Sequence, residues 1–283
     1  MSNVPDPFAT RPSTTTGPVR SGHAAAAPNR GEIATGTTIP ARKIAMWSGP
    51  RNVSTAMMRA WENRTDTFVT DEPFYAHYLH ETGIVHPGRD EVIQSQSTDW
   101  QQVAAWITGS VPNARGIWYQ KHMAHHLLPH MGREWLGNLS HGFLIREPRE
   151  MLTSLVHNLP EPTVADTGLP QQVELLELLI AATGQIPPVV DARDVLENPA
   201  GMLQALCAAF GVPFEERMLA WPPGRRETDG VWAPHWYAAV ELSTGFHSYR
   251  PKPDPVPPAL GPVLAECEVL YARLSAYRLA PAG

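Results

Sequence analysis

Four short stretches hold the side chains most able to do chemistry. Ser48-Gly-Pro-Arg-Asn-Val-Ser-Thr55 joins a guanidinium to a pair of hydroxyls, and Asp71-Glu72-Pro73 sets two carboxylates side by side. Lys121-His122 offers an ammonium beside an imidazole, and Arg146 is followed by Ser154 eight residues on. A guanidinium is a permanently charged, planar fork of donors, suited to phosphate or sulfate oxygens. A carboxylate at a strand end is a candidate general base.

The first stretch has the layout of a phosphate cradle. Ile44 to Trp47 form a compact apolar run suited to a central parallel strand, and Gly49, Pro50, Arg51, Asn52 and Val53 make a tight loop. Ser54 and Thr55 are expected as N-caps of a helix whose apolar stripe runs through Ala56, Met57, Ala60 and Trp61. The first amides of such a helix lack intrahelical partners and carry the positive end of its dipole, which favours a bound anion. A Walker A site needs Gly-x4-Gly-Lys-Ser/Thr. Here Val53 stands where the second Gly would, and no Lys precedes Ser54. An ordinary ATPase or GTPase is therefore disfavoured, and a P-loop kinase or nucleotide hydrolase stays as an alternative.

The other stretches fall at strand ends. Thr67 to Thr70 reads as a second strand ending at Asp71 and Glu72, and Pro73 biases Glu72 toward an extended backbone. Residues 116–121 read as a third strand that carries the charge of Lys121 into the crevice at the carboxyl edge. His122, His125 and His126 have no adjoining carboxylate or Cys to complete a metal site and are expected as surface side chains. Residues 141–145 form the next buried strand and turn into a helix with Pro148 near its start, placing Arg146 at the strand end and Ser154 two turns on. Residues 171–183, 198–210 and 262–277 have helical apolar spacing, and residues 188–193 look like the last strand.

Composition bounds the rest. The chain has 283 residues, 43% hydrophobic and 18% charged, with a net charge of −6. That suits one α/β domain and gives no global field to recruit nucleic acid or an acidic membrane surface. Only Cys207 and Cys267 occur, both in apolar helical patterns, which fits free thiols in a reducing cytoplasm. Residues 1–40 are rich in Pro, Ser, Thr, Gly and Ala and are expected as a disordered tail. Residues 41–283 form the domain, with residues 221–258, dense in Pro, Gly and aromatics, as a lid or substrate loop.

Together, Pro50-Arg51 with Ser54-Thr55, and Arg146-x-Pro148 with Ser154, resemble the sulfotransferases that use 3′-phosphoadenosine 5′-phosphosulfate (PAPS). The resemblance implies a three-layer P-loop fold, with a central parallel sheet flanked by helices and the donor lying across the strand carboxyl ends. It implies that Arg51, Ser54 and Thr55 hold the 5′-phosphosulfate and that Arg146 and Ser154 hold the 3′-phosphate. In the tyrosylprotein and bacterial branches the base is a Glu after the second strand, where this chain has Glu72. In the cytosolic branch it is a His near a Lys, of which Lys121-His122 is a loose echo. The chain departs from the family at Asn52-Val53, where Ser-Gly is usual, and at Ala56, where the cytosolic branch has an aromatic. Arg250 and Lys252 stand in for that branch's Arg-Lys-Gly segment. The expected activity is sulfuryl transfer to a hydroxyl or amine of a small molecule, without a metal, yielding 3′-phosphoadenosine 5′-phosphate (PAP). A non-catalytic nucleotide-binding module is the other alternative.

Overall fold

The computed structural model describes residues 41–252 and 254–283; the expected tail at 1–40 lies outside them. The apolar run after Pro40 becomes β1 (Arg42–Ser48), and the loop leads into α1 (Ser54–Glu62). Then come β2 (Thr67–Asp71), α2 (Tyr75–Thr82), α3 (Arg89–Ser95), α4 (Trp100–Thr108) and β3 (Ile117–Met123). The second half runs through β4 (Ser140–Ile145), α5 (Pro148–Leu155), α6 (Leu169–Thr183), β5 (Val189–Asp191), α7 (Ala192–Glu197) and α8 (Pro199–Ala209). Two one-turn helices, α9 (Ala233–Trp236) and α10 (Ala238–Glu241), interrupt the aromatic-rich stretch before α11 (Gly261–Ser275) closes the chain.

The five strands make one sheet in the order β2-β3-β1-β4-β5, and every pairing is parallel. Helices cover both faces, the α/β three-layer arrangement expected from the sequence. One apolar layer joins Trp47, Trp118, Phe143 and Ile145 to α4, α6 and α11. The other joins Ile44, Met46, Tyr119 and Leu144 to α1 and α8. This two-sided burial is why the strands read as continuous apolar runs rather than alternating ones.

The order places the functional edge. From β1 the chain moves outward to β2, returns to β3, and then crosses to β4 on the opposite side of β1. Strand order thus reverses at β1, and open parallel sheets bind ligands beyond the carboxyl ends at such a point. Gln172 of α6 bridges the two strands at this point, since its Nε2 donates to the carbonyls of Trp47 and Leu144 at 2.9 and 3.1 Å.

Candidate functional site

The loop after β1 packs too tightly for any residue but glycine at its first position. A Cβ at Gly49 would stand 2.2 Å from the carbonyl oxygen of Thr167. Arg51 then takes a left-handed backbone, φ 57°, a conformation that costs a non-glycine residue about 1–3 kcal/mol and turns up at ligand clamps. Helix α1 begins at Ser54, with Val53 at the N-cap position (φ −80°, ψ 22°) and no side-chain cap. Ser54 and Thr55 therefore sit in the first turn and do not cap it, contrary to the expectation from sequence. Valine cannot cap, so the leading amides of α1 have no side-chain acceptor.

Arg51 meets Arg146 and Ser154 although about a hundred residues separate it from them. Arg51 Nε donates to Ser154 Oγ at 2.8 Å, and Arg146 Nη1 donates to the Arg51 carbonyl at 2.6 Å. Arg146 also pairs with Glu150 at 3.0 Å, and Glu150 accepts from the Tyr249 hydroxyl. Partial desolvation, then the charge of Arg146, lower the Arg51 pKa. Desolvation followed by Arg146 and Arg51 likewise lowers that of Lys252. These three cations repel one another, and Glu150 offsets only part of their charge. An anion placed among them relieves that repulsion.

The second centre is buried at the end of β2 and β3. Register sets Asp71 opposite Lys121. Lys121 Nζ donates to Asp71 Oδ1 and to the Tyr237 hydroxyl, each at 2.8 Å, and also to Glu72. The Tyr237 hydroxyl donates to Asp71 Oδ2 at 2.7 Å and accepts from Trp232 Nε1 at 3.1 Å. The amide of Gly230 also donates to Asp71. Asp71 is thus fully partnered, and Glu72 is the less committed carboxylate. Burial raises the Glu72 pKa, Lys121 opposes the rise, and Asp71 adds to it. Burial acts to lower Lys121, but Asp71 and Glu72 overcome it and hold the ammonium well above its ordinary value.

Two sequence expectations need correction here. Glu72 is not extended before Pro73: its φ is 41°. Its amide continues the ladder to the Lys121 carbonyl at 2.9 Å, while its own carbonyl accepts from Tyr75 at 3.1 Å, and this turn overrides the bias from proline. The histidines are not all surface groups either. His122 alternates to the sheet face opposite Lys121, is 1% exposed and stacks on Trp47 with centroids 4.3 Å apart. Burial, then His141 and Lys121, lower its pKa to about 3. His122 does not line the cleft described next, so its placement speaks against a role as base.

Arg51 of the first centre and Glu72, Lys121 and Tyr237 of the second line one cleft of about 310 Å³, whereas Arg146, Ser154 and Lys252 are not among its lining residues. Pro50, Arg51, Asn52, Ser54 and Thr55 line one side, and Glu72, Lys121 and Tyr237 lie at its base. Tyr75, Tyr78, His125, His126 and Trp236 line the other side. Among the described residues no group of three His, Cys, Asp or Glu side chains is placed to hold a metal. Sequence reasoning missed Tyr237, Trp232 and Gln172 because each acts through contacts distant in the chain. The density of aromatics in residues 221–258 was the only signal for the first two.

A parallel α/β sheet with an uncapped helix start and a cation cluster at its switch point is an arrangement suited to an anionic ligand. The chain belongs to the family described as "Sulfotransferase domain", whose profile matches residues 42–271. It is 36% identical over 215 residues to Branched-chain-amino-acid aminotransferase-like protein 1 of Arabidopsis thaliana, covering 76% of this chain and 38% of that protein. It is 32% identical over 228 residues to the like protein 2 of the same plant, covering 81% and 40%. The chain therefore spans about two fifths of the length of these curated relatives. Among solved structures it is similar to the sulfotransferase domain from the curacin biosynthetic pathway (TM-score 0.49, 16% identity, 86% of this chain and 100% of that one). It is also similar to a sulfotransferase from Alicyclobacillus acidocaldarius (TM-score 0.45, 11% identity, 84% and 97%).

Proposed function

We propose that this protein transfers a sulfuryl group from PAPS to a hydroxyl of a small molecule. The observation that carries the reading is the cluster of Arg51, Arg146 and Lys252 beside the uncapped start of α1, in which Arg146 bonds the Arg51 carbonyl and desolvation and neighbouring charge lower the pKa values of Arg51 and Lys252. Arg51, Ser54, Thr55 and the first amides of α1 would hold the 5′-phosphosulfate, with Gly49, Pro50, Asn52 and Val53 shaping the loop around it. Arg146, Ser154 and Lys252 would take the 3′-phosphate. Asn52 lines the cleft and braces the loop, its Nδ2 tied to the Leu144 carbonyl at 3.0 Å.

PAPS supplies an activated sulfuryl group, whose bond to the phosphate oxygen breaks as the bond to the acceptor oxygen forms. Glu72 takes the acceptor proton, and its raised pKa brings it closer to the proton affinity a base needs near neutral pH. Lys121, anchored by Asp71 and Tyr237, fixes the Glu72 carboxylate and keeps positive charge beside it. Arg51 and the helix amides offset charge appearing on the departing phosphate. PAP release measured with PAPS and a panel of alcohols tests the reading. Turnover that is lost in Glu72→Gln, with PAP binding kept, supports it; magnesium-dependent ATP turnover in place of PAPS use would overturn it.

The aminotransferase part of the plant relatives' names does not extend naturally to this chain. Its lysines are Lys43, Lys121 and Lys252. Of these only Lys121 lines the cleft, where Asp71 and Glu72 hold it as an ammonium, whereas a Schiff-base lysine needs a free amine; Lys252, whose pKa is lowered, does not line the cleft.

A further inference from the structure

The acceptor side of the cleft is graded from polar floor to apolar mouth. At the floor, Glu72 and Asp71 together more than offset the single charge of Lys121. Above it, His126 is clamped between Tyr75 and Tyr78, with both centroid separations 4.7 Å. The Nδ1 atoms of His125 and His126 are buried without a partner. At the mouth, Ile84, Val85 and Leu159 are apolar yet 37%, 93% and 37% exposed.

Charge along this wall is one-sided. Burial lowers the pKa of His125 to about 4 and that of His126 further, so both are neutral near pH 7. His86 is lowered by burial as well and bonds the Tyr75 hydroxyl through Nδ1. Asp166 adds a carboxylate whose Oδ2 is occupied by the amide and hydroxyl of Thr163 at 2.8 and 2.7 Å. Among the described residues lining the cleft, Arg51 and Lys121 are the cations; the first faces the donor side and the second is bound by its carboxylates.

We infer that the acceptor is an uncharged alcohol with an extended apolar body, its hydroxyl at Glu72 and its body between the Tyr75–His126–Tyr78 stack and the Ile84, Val85 and Leu159 rim. This rests on the sulfotransferase reading and deepens it. An acceptor bearing a carboxylate would find no free cation on this wall and would desolvate beside Glu72 and Asp166. A longer apolar body covers side chains that are otherwise in water.

The test uses primary alcohols from butanol to decanol, with the ω-hydroxy carboxylate and the amino alcohol of each length. PAP release gives kcat/KM, and tryptophan quenching in the presence of PAP gives acceptor binding without turnover; Trp236→Phe locates that signal. Binding and kcat/KM of the plain alcohols should each rise by about fourfold per added methylene until the cleft is filled. The carboxylates should be poorer by tenfold or more, on the order of one charge left unpaired. Val85→Lys should narrow the gap between carboxylate and plain alcohol several-fold while leaving PAP affinity unchanged. Equal or better use of the carboxylates, preference for the ammonium forms, or a response flat in chain length would overturn the inference. Failure to bind PAP would instead count against the donor assignment, while the quenching series would still decide the acceptor class.

Discussion

At the scale of single residues, the proposed function divides labour between a cationic side for the donor and the buried Glu72 as base. Arg51 is held by Ser154 on one side and Arg146 on the other, with its backbone at positive φ. Arg51→Ala removes a charged donor from the proposed phosphosulfate site, so PAP affinity should fall by about tenfold or more by calorimetry. Glu72→Gln leaves that donor set intact and should reduce kcat by about 10²- to 10⁴-fold, with PAP affinity within a few-fold of wild type. Burial raises the Glu72 pKa, so the fraction of carboxylate, and with it kcat, should climb with pH through a limb above the ordinary Glu value of about 4.3. That limb should vanish in the residual activity of Glu72→Gln. His122→Phe, which keeps the stack on Trp47, should keep kcat within a few-fold, whereas a large loss would return His122 to the candidates for base.

At the scale of elements, β1, its loop and α1 act as one unit braced by the chain around Thr167. Gly49→Ala drives a methyl into the Thr167 carbonyl, and overpacking of this kind costs about 1–3 kcal/mol. Calorimetry with PAP and a thermal melt should both show the loss, because the loop must move to make room. This unit was legible in the sequence, since the apolar run of Ile44 to Trp47, the loop and the stripe of α1 are local signals. So were the strand ends that carry Asp71, Glu72 and Arg146, whereas β3 runs two residues past Lys121, the end expected from sequence. What was not legible is local geometry set by partners far away. The hydroxyls of Ser54 and Thr55 looked like caps, but the helix starts at Ser54 and leaves its amides open. Glu72 was expected extended, and the turn made by the Lys121 carbonyl and the Tyr75 amide reversed that. Tyr237 enters the Lys121 network across 116 residues of sequence, beyond the reach of any spacing rule.

At the scale of the whole molecule, long-range polar ties hold the aromatic-rich stretch against the sheet. Arg59 of α1 pairs with Asp229 at 2.6 Å, with side-chain exposures of 1% and 0%. Asp229→Ala removes the closer of two carboxylates and leaves Glu62 at 3.3 Å, so it should lower stability by about 1–3 kcal/mol in a denaturant melt. The buried histidines set an acid limit. Burial holds His122 and His125 neutral, near pKa 3 and 4, against about 6.5 unfolded. A lowered folded pKa means the unfolded chain binds more protons, so this stability is complete above about pH 6.5 and erodes as pH falls toward 3. Replacing His122 with Phe should reduce that slope in melts over the same range. No helix among the described residues is long and apolar enough to cross a membrane. The central claim is the PAPS site at the carboxyl edge, and calorimetric titration of PAP, AMP and magnesium-ATP into wild type and Arg146→Ala tests it most directly. The account predicts that PAP binds far more tightly than AMP and that Arg146→Ala erases most of the difference. PAP binding no tighter than AMP, or weaker than magnesium-ATP, would contradict it.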